Sequence, residues 1–213
     1  MKRRCRIGFA MVLPSMGDDV VSLSRPFPIY KQLLSDNSCG PRSILMVADY
    51  FEQERGRRLL ACEWSRVLEV TMQNDLAGDE GTREDDLIRG LRVAGLKIRK
   101  IEAGKGVGDR GTLMRAVRRD HPVVLGCIIT HEEKATPHYA VLVGMDRENL
   151  FLADPYPHRA TPKNPFRVVP WQEFESPRWR KGTTVWGSGR WAVEVWGCRD
   201  RLNLSAYSDE LDQ

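Results

Sequence analysis

A chain of 213 residues with 41% hydrophobic and 29% charged content is long enough for one well-buried domain, and its composition excludes a disordered polymer. No apolar run reaches the roughly 20 residues of a membrane-spanning helix, which excludes a span of that kind. The net charge of +4 arises from interleaved acids and bases, as in Arg83-Glu84-Asp85-Asp86 and Arg89, and leaves no nucleic-acid footprint.

The chain opens with Lys2, Arg3, Arg4 and Arg6 followed by an apolar stretch at 7–13. That stretch is short for a signal peptide and no small-residue cleavage site follows it cleanly. Residues 1–28 are therefore read as an N-terminal extension, with Met11 or Met16 as alternative starts, 29–204 as one domain, and 205–213 as a flexible tail. Five widely spaced cysteines without a Cys-x-x-Cys pair argue against a disulfide framework and against a zinc ribbon, so a reduced, cytoplasmic compartment is expected. Cys127 and His131 have a metal-ligand spacing, but no second pair completes a site, and neither metal nor cofactor is expected.

Within 41–51, Ile44, Val47, Ala48 and Phe51 repeat at i, i+3, i+4 and i+7, the period of one buried helix face, and Pro41 suits the first turn. A second helix is expected over 63–76 from Trp64, Val67, Leu68 and Met72. Thr82-Arg83-Glu84-Asp85 resembles a loose capping box opening a third, with Leu87, Ile88, Leu91 and Ala94 inward and Gly95 as its stop. A short strand over 96–101, a glycine-rich loop over 104–111 and a fourth helix over 112–119 follow. Arg115, Arg118 and Arg119 form its solvated face. After Pro122 the short β-branched runs 123–130, 138–145 and 150–153 read as strands. A proline-punctuated loop at 155–165, a helical turn at 171–174 and a last strand at 191–196 complete an α+β order, helices first and an antiparallel sheet after them. Five of the six tryptophans fall after residue 170 and are expected to close the core.

Asn37-Ser38-Cys39-Gly40-Pro41 puts a thiol at the mouth of a helix, where unpaired N–H groups and the positive end of the macrodipole favour a thiolate. Gly40 leaves room for a substrate carbonyl, the Cys39 amide is a donor to an oxyanion, and Gln32 is a candidate second donor. Alone, such a cysteine is more often a small buried hydrophobe than a nucleophile. His138 at one strand's start and Asp154 at the next strand's end supply a base and its orienting acid at the same sheet edge. A two-residue turn at Arg147-Glu148 would set Asp154 opposite Val141, on the wrong face. The triad therefore requires a three-residue loop over 146–148, or a bulge, to bring Asp154 opposite Ala140.

These residues resemble the bacteriocin-processing cysteine peptidases that trim double-glycine leaders, and more closely their stand-alone relatives in cysteine peptidase family thirty-nine. The resemblance runs from Ile29 to Trp179. It rests on Gln32, Cys39-Gly40-Pro41, Gly81-Thr82, His138-Tyr139-Ala140-Val141-Leu142-Val143-Gly144, Ala153-Asp154-Pro155-Tyr156 and Trp171-Gln172-Glu173-Phe174. It implies a papain-like fold without cofactor, with Cys39 as nucleophile, His138 as general base and acid, Asp154 as orienting residue and Gln32 as oxyanion donor, acting on a peptide or amide. Ser38 stands where the family usually has aspartate, and Gln32 lies one residue farther from the cysteine than is typical. Two rival readings remain open: acyl transfer through the same triad, and a silent module that binds a peptide without cutting it. Oligomeric state is not legible.

Overall fold

The computed structural model describes residues 20–32, 37–54, 61–72, 81–102, 107–131, 134–156, 166–176, 184–186 and 191–199. In chain order these form β1 (Val21–Ser22), α1 (Cys39–Glu54), α2 (Ala61–Thr71), α3 (Glu84–Val93), β2 (Leu96–Glu102), α4 (Val107–Arg118), β3 (Val123–His131), β4 (Lys134–Met145), β5 (Asn149–Ala153), β6 (Arg167–Pro170), α5 (Trp171–Glu175), β7 (Thr184–Trp186) and β8 (Trp191–Cys198). The strands form one sheet, ordered β2-β8-β3-β4-β5-β6, with β1 paired to β4 and β7 to β3, all antiparallel. This is the α+β arrangement expected from the chain.

The inward face of α1 is the one its period specifies, since Ile44, Val47 and Ala48 are sealed from solvent and Phe51 nearly so. Each large apolar side chain so buried contributes about 1.5–3 kcal/mol. The helix lies against β4 and β8, and α3 lies against α1, α2 and β2. The packed body begins before Ile29, because Leu23 and Phe27 are buried in the same core and Val21 pairs with Met145.

Several boundaries differ from the sequence reading, each for a physical reason. Helix α2 starts at Ala61 rather than 63, and its backbone bends at Met72; residues 73–76 lie outside the described set. No Thr82 capping box forms: the N-cap of α3 is Arg83, without a side-chain cap. Helix α4 starts at Val107, inside the stretch read as a loop. Gly108 and Gly111 weaken local propensity, but packing of the later turns on β4 and β1 outweighs it. Strands β1, β6 and β7 were missed because two to four residues are too short to show a period. Trp171 is buried and Trp191 tilts onto Tyr139 at 5.7 Å, whereas Trp196 is half exposed with Lys97 Nζ 5.1 Å from its ring. Trp179 and the side chain of Trp186 lie outside the described residues.

At Gly90, α3 packs tightly on α1 and α2. A Cβ there would stand 2.5 Å from Thr71 Cγ2 and 2.7 Å from Ile44 Cδ1. Thr71 cannot swing aside easily, since its hydroxyl donates to the Val67 carbonyl at 2.7 Å. Alanine gains about 1 kcal/mol over glycine in an open helix, but overpacking costs about 1–3 kcal/mol. Gly90→Ala is therefore expected to lower the urea midpoint, and adding Thr71→Ser to restore much of it. A raised midpoint in the single variant would contradict this packing.

Candidate active site

Helix α1 takes its first backbone bond from Arg42 N–H to the Ser38 carbonyl, at 2.9 Å. Cys39 and Gly40 thus have no intrahelical acceptor for their N–H groups, and the positive end of the helix falls on the Cys39 thiol. The space beside Gly40 is not left for a substrate, as its sequence context implied. A Cβ at Gly40 would lie 2.5 Å from Thr82 Oγ1, so the glycine admits Thr82 against the helix. One turn on, Ser43 Oγ donates to the Tyr139 carbonyl at 3.4 Å, fixing the nucleophile's helix to the strand that carries His138.

His138 is the fifth residue of β4 rather than its first. From Lys134 to Ala140 the strand is paired to β3, while β5 reaches only to Val141 opposite Ala153. Pro137 falls in this one-sided stretch, where proline is tolerated. Beyond it β5 ends, and Asp154 leaves the sheet beside His138.

The face of Asp154 is set by a bulge. The turn is the tight two-residue one: Asp146 N–H donates to the Asn149 carbonyl at 3.0 Å, and Asp146 Oδ1 accepts from the N–H groups of Glu148 and Asn149 at 2.7 and 2.6 Å. Met145 pairs with Leu150 and Gly144 with Phe151, but Leu142 pairs with Leu152 and Val141 with Ala153. Val143 is the extra residue, and its carbonyl accepts from Leu23 N–H at 2.9 Å. The three-residue loop is thus not formed and the bulge is, which continues the register to place Asp154 opposite Ala140.

His138 Nε2 meets Asp154 Oδ1 at 2.6 Å, and the Cys39 thiol acts on the same imidazole, helping to raise its pKa. A carboxylate only accepts, so Nε2 carries a proton and Nδ1 is the nitrogen left for Cys39. All three side chains are buried, Asp154 completely. Burial pulls the His138 pKa down, but the charge and hydrogen bond of Asp154, helped by Cys39, outweigh it and raise the value to about 10. Asp154 also accepts from Tyr156 N–H at 2.8 Å and from Arg167 Nη1 at 3.3 Å. Cys127 lies opposite His138 in the sheet, and its Sγ contacts the His138 carbonyl at 3.4 Å. Burial, then Asp154, pushes its thiol well up, which keeps it protonated and unsuited to attack.

Gln32 is buried, and its N–H donates to the Pro155 carbonyl at 2.8 Å. Beside it, Lys31 Nζ donates to the Asp154 carbonyl at 2.7 Å, so the segment before the nucleophile is tied to the loop that holds the acid. Burial lowers the Lys31 pKa, against the opposing charge of Asp154. The sequence reading therefore named the three side chains that meet and missed the cations around them. Lys31 stood next to a named residue, while Arg167 in a four-residue strand has no sequence signature.

The Peptidase_C39 like family model matches residues 25–185. Among solved structures, the peptidase domain of Streptococcus ComA, a bi-functional ABC transporter involved in a quorum-sensing pathway, superposes with a TM-score of 0.51 at 18% identity, covering 79% of this chain and 97% of that one. A protein from Bacillus anthracis designated C39-like peptidase superposes with a TM-score of 0.57 at 18% identity, covering 84% of this chain and 98% of that one. No curated protein matches the chain.

Proposed function

The chain belongs to the Peptidase_C39 like family, with the papain-like fold of its peptidase domains, and from that premise we propose that it is a cysteine peptidase or amide hydrolase working through Cys39, His138 and Asp154. The observation that carries the reading is the buried relay in which Asp154 holds His138 at 2.6 Å and His138 engages the Cys39 thiol.

The chemistry follows from those contacts. In the free protein the proton given up by Cys39 already rests at His138 Nδ1, as the raised pKa of the imidazole requires, and the Cys39 sulfur attacks the scissile carbonyl, forming a C–S bond. The negative oxygen is held by the Cys39 N–H at the helix mouth, with Gln32 as the second donor. His138 then gives its proton to the leaving amine as the C–N bond breaks, leaving a thioester. Water attacks the thioester, His138 again accepts and returns the proton, and the acid product departs.

Labelling with iodoacetamide at pH 6, followed by peptide mass spectrometry, tests the first step without a known substrate. Cys39 is expected to react selectively, with buried, protonated Cys127 left unmodified. In His138→Ala the reaction should fall about 100-fold or more, towards an ordinary thiol, which is only about 0.3% ionised at this pH. Equal rates in the native protein and the variant would remove the reading.

A further inference from the structure

Asp154 receives donors on both carboxylate oxygens: His138 Nε2 and Tyr156 N–H on Oδ1, and Arg167 Nη1 on Oδ2. The terminal torsion of an aspartate is broad, so a bond to one oxygen alone does not fix the plane of the carboxylate. A second donor on the other oxygen does. Arg167 reaches the site from β6, where it pairs with Leu152 two residues before Asp154, and its side chain is 15% exposed against 0% for Asp154. A guanidinium on a sealed carboxylate is a charge-assisted contact in a low-dielectric setting, where its energy and its directionality are greatest.

We propose that Arg167 is a positioning residue for the reaction: it holds Asp154 Oδ2, fixes the carboxylate plane that aims Oδ1 at His138, and offsets the negative charge that would otherwise oppose the Cys39 thiolate. The inference rests on the reading of Cys39 and His138 as nucleophile and base. Among the described residues, the charged and titratable groups facing this cluster include Cys39 from α1, Cys127 from β3, His138 and Tyr139 from β4, Arg167 from β6, Lys31 from the segment before α1, and Tyr156, whose ring stands edge-on to His138 at 6.1 Å. Arg167 meets the carboxylate, whereas Lys31 meets the Asp154 and Tyr156 carbonyls, at 2.7 and 3.4 Å. The two cations thus act on different atoms of the same loop. Removing Arg167 takes a charged donor from Oδ2 and loosens the carboxylate plane, and with it the imidazole that stabilises the thiolate.

The test is the rate of Cys39 labelling by iodoacetamide at pH 6 in six proteins: native, His138→Ala, Arg167→Met, Arg167→Lys, Asp154→Asn, and Arg167→Met with Asp154→Asn. Arg167→Met is expected to slow labelling about tenfold, and Arg167→Lys to recover it to within about threefold of native. In the Asp154→Asn background the Arg167→Met change should shrink to less than about twofold, because its effect passes through the carboxylate. Arg167→Gln, which keeps an N–H donor without the charge, replaces the methionine variant if that one does not fold, and is read in the same two backgrounds. Labelling of Arg167→Met at the native rate, or an undiminished loss in the Asp154→Asn background, would overturn the proposal while leaving the triad intact. Native labelling no faster than that of His138→Ala would remove the triad, and this proposal with it.

Discussion

Cys39→Ala and His138→Ala are each expected to lower peptide turnover by about 10⁴–10⁶-fold, and the double variant to lose no more than either alone. The two groups are expected to act as one unit: the thiol and the imidazole are electrostatically coupled, so attack and proton transfer fail together. A helix mouth without a base still favours negative charge, but only by the modest energy of a macrodipole, about 0.3–2 kcal/mol, which is far short of such a loss. The measurement is single-turnover cleavage of a peptide substrate in the native, single and double variants. Losses that multiply in the double variant would mean that the two residues serve different steps. Retention of activity by Cys39→Ala would end the thioester mechanism. Because His138 stays protonated to about pH 10 in the free protein, the alkaline limb of the rate profile should lie near that value.

The second large effect is expected at Asp154. Asp154→Asn preserves shape but replaces an acceptor with an amide that can turn its own N–H₂ towards His138, selecting the wrong tautomer. Turnover should fall by about 10²–10⁴-fold. The alkaline limb should also move down from about 10 towards, or below, the ordinary 6.5 of histidine, since burial then acts against a weakened support. The sign for stability follows from the same shift. A histidine whose folded pKa is raised contributes stability that is fully present below its unfolded value of about 6.5, and that contribution is lost as pH rises through about 10. Asp154→Asn should flatten that alkaline loss. Asp154→Ala goes further, leaving His138 and Arg167 facing an apolar gap, and is expected to cost about 3–5 kcal/mol in urea unfolding near neutral pH. An unchanged pH profile in Asp154→Asn would show that the carboxylate does not govern His138.

Much of this arrangement is written locally in the chain. The period of Ile44, Val47, Ala48 and Phe51, the position of Cys39 before Pro41 and the strand-like runs around His138 and Asp154 each depend on neighbours a few residues away, and such signals survive without a structure. Other features depend on contacts across long separations. Thr82 against Gly40 and Arg167 against Asp154 join segments whose pairing no local pattern specifies. His121 is of the same kind: its Nδ1 meets the buried Glu194 at 2.7 Å, 73 residues on, and with Arg99 it holds the Glu194 carboxyl below the usual range although burial alone would raise it. The choice between a three-residue loop and a bulge was open for a further reason. Both satisfy the same spacing, and what decides is the set of bonds around the Asp146 carboxylate together with Leu23 N–H on the Val143 carbonyl.

That bulge makes the hairpin behave like a reading frame. The tight turn is held by Asp146, by Arg110 on the Asp146 carbonyl at 2.9 Å and by Trp171 N–H on the Glu148 carbonyl at 2.6 Å, so it cannot easily absorb a change in length. Pairing of β4 with β5 without the bulge, with Val143 taken into the ladder, would set Asp154 opposite Val141 and turn it to the far side of the sheet from His138. Every chemical group would survive, and the relay would be gone. The relay is thus encoded partly as a count of residues between His138 and Asp154, and a one-residue insertion or deletion that the bulge does not absorb is expected to silence the site as completely as substitution of the cysteine.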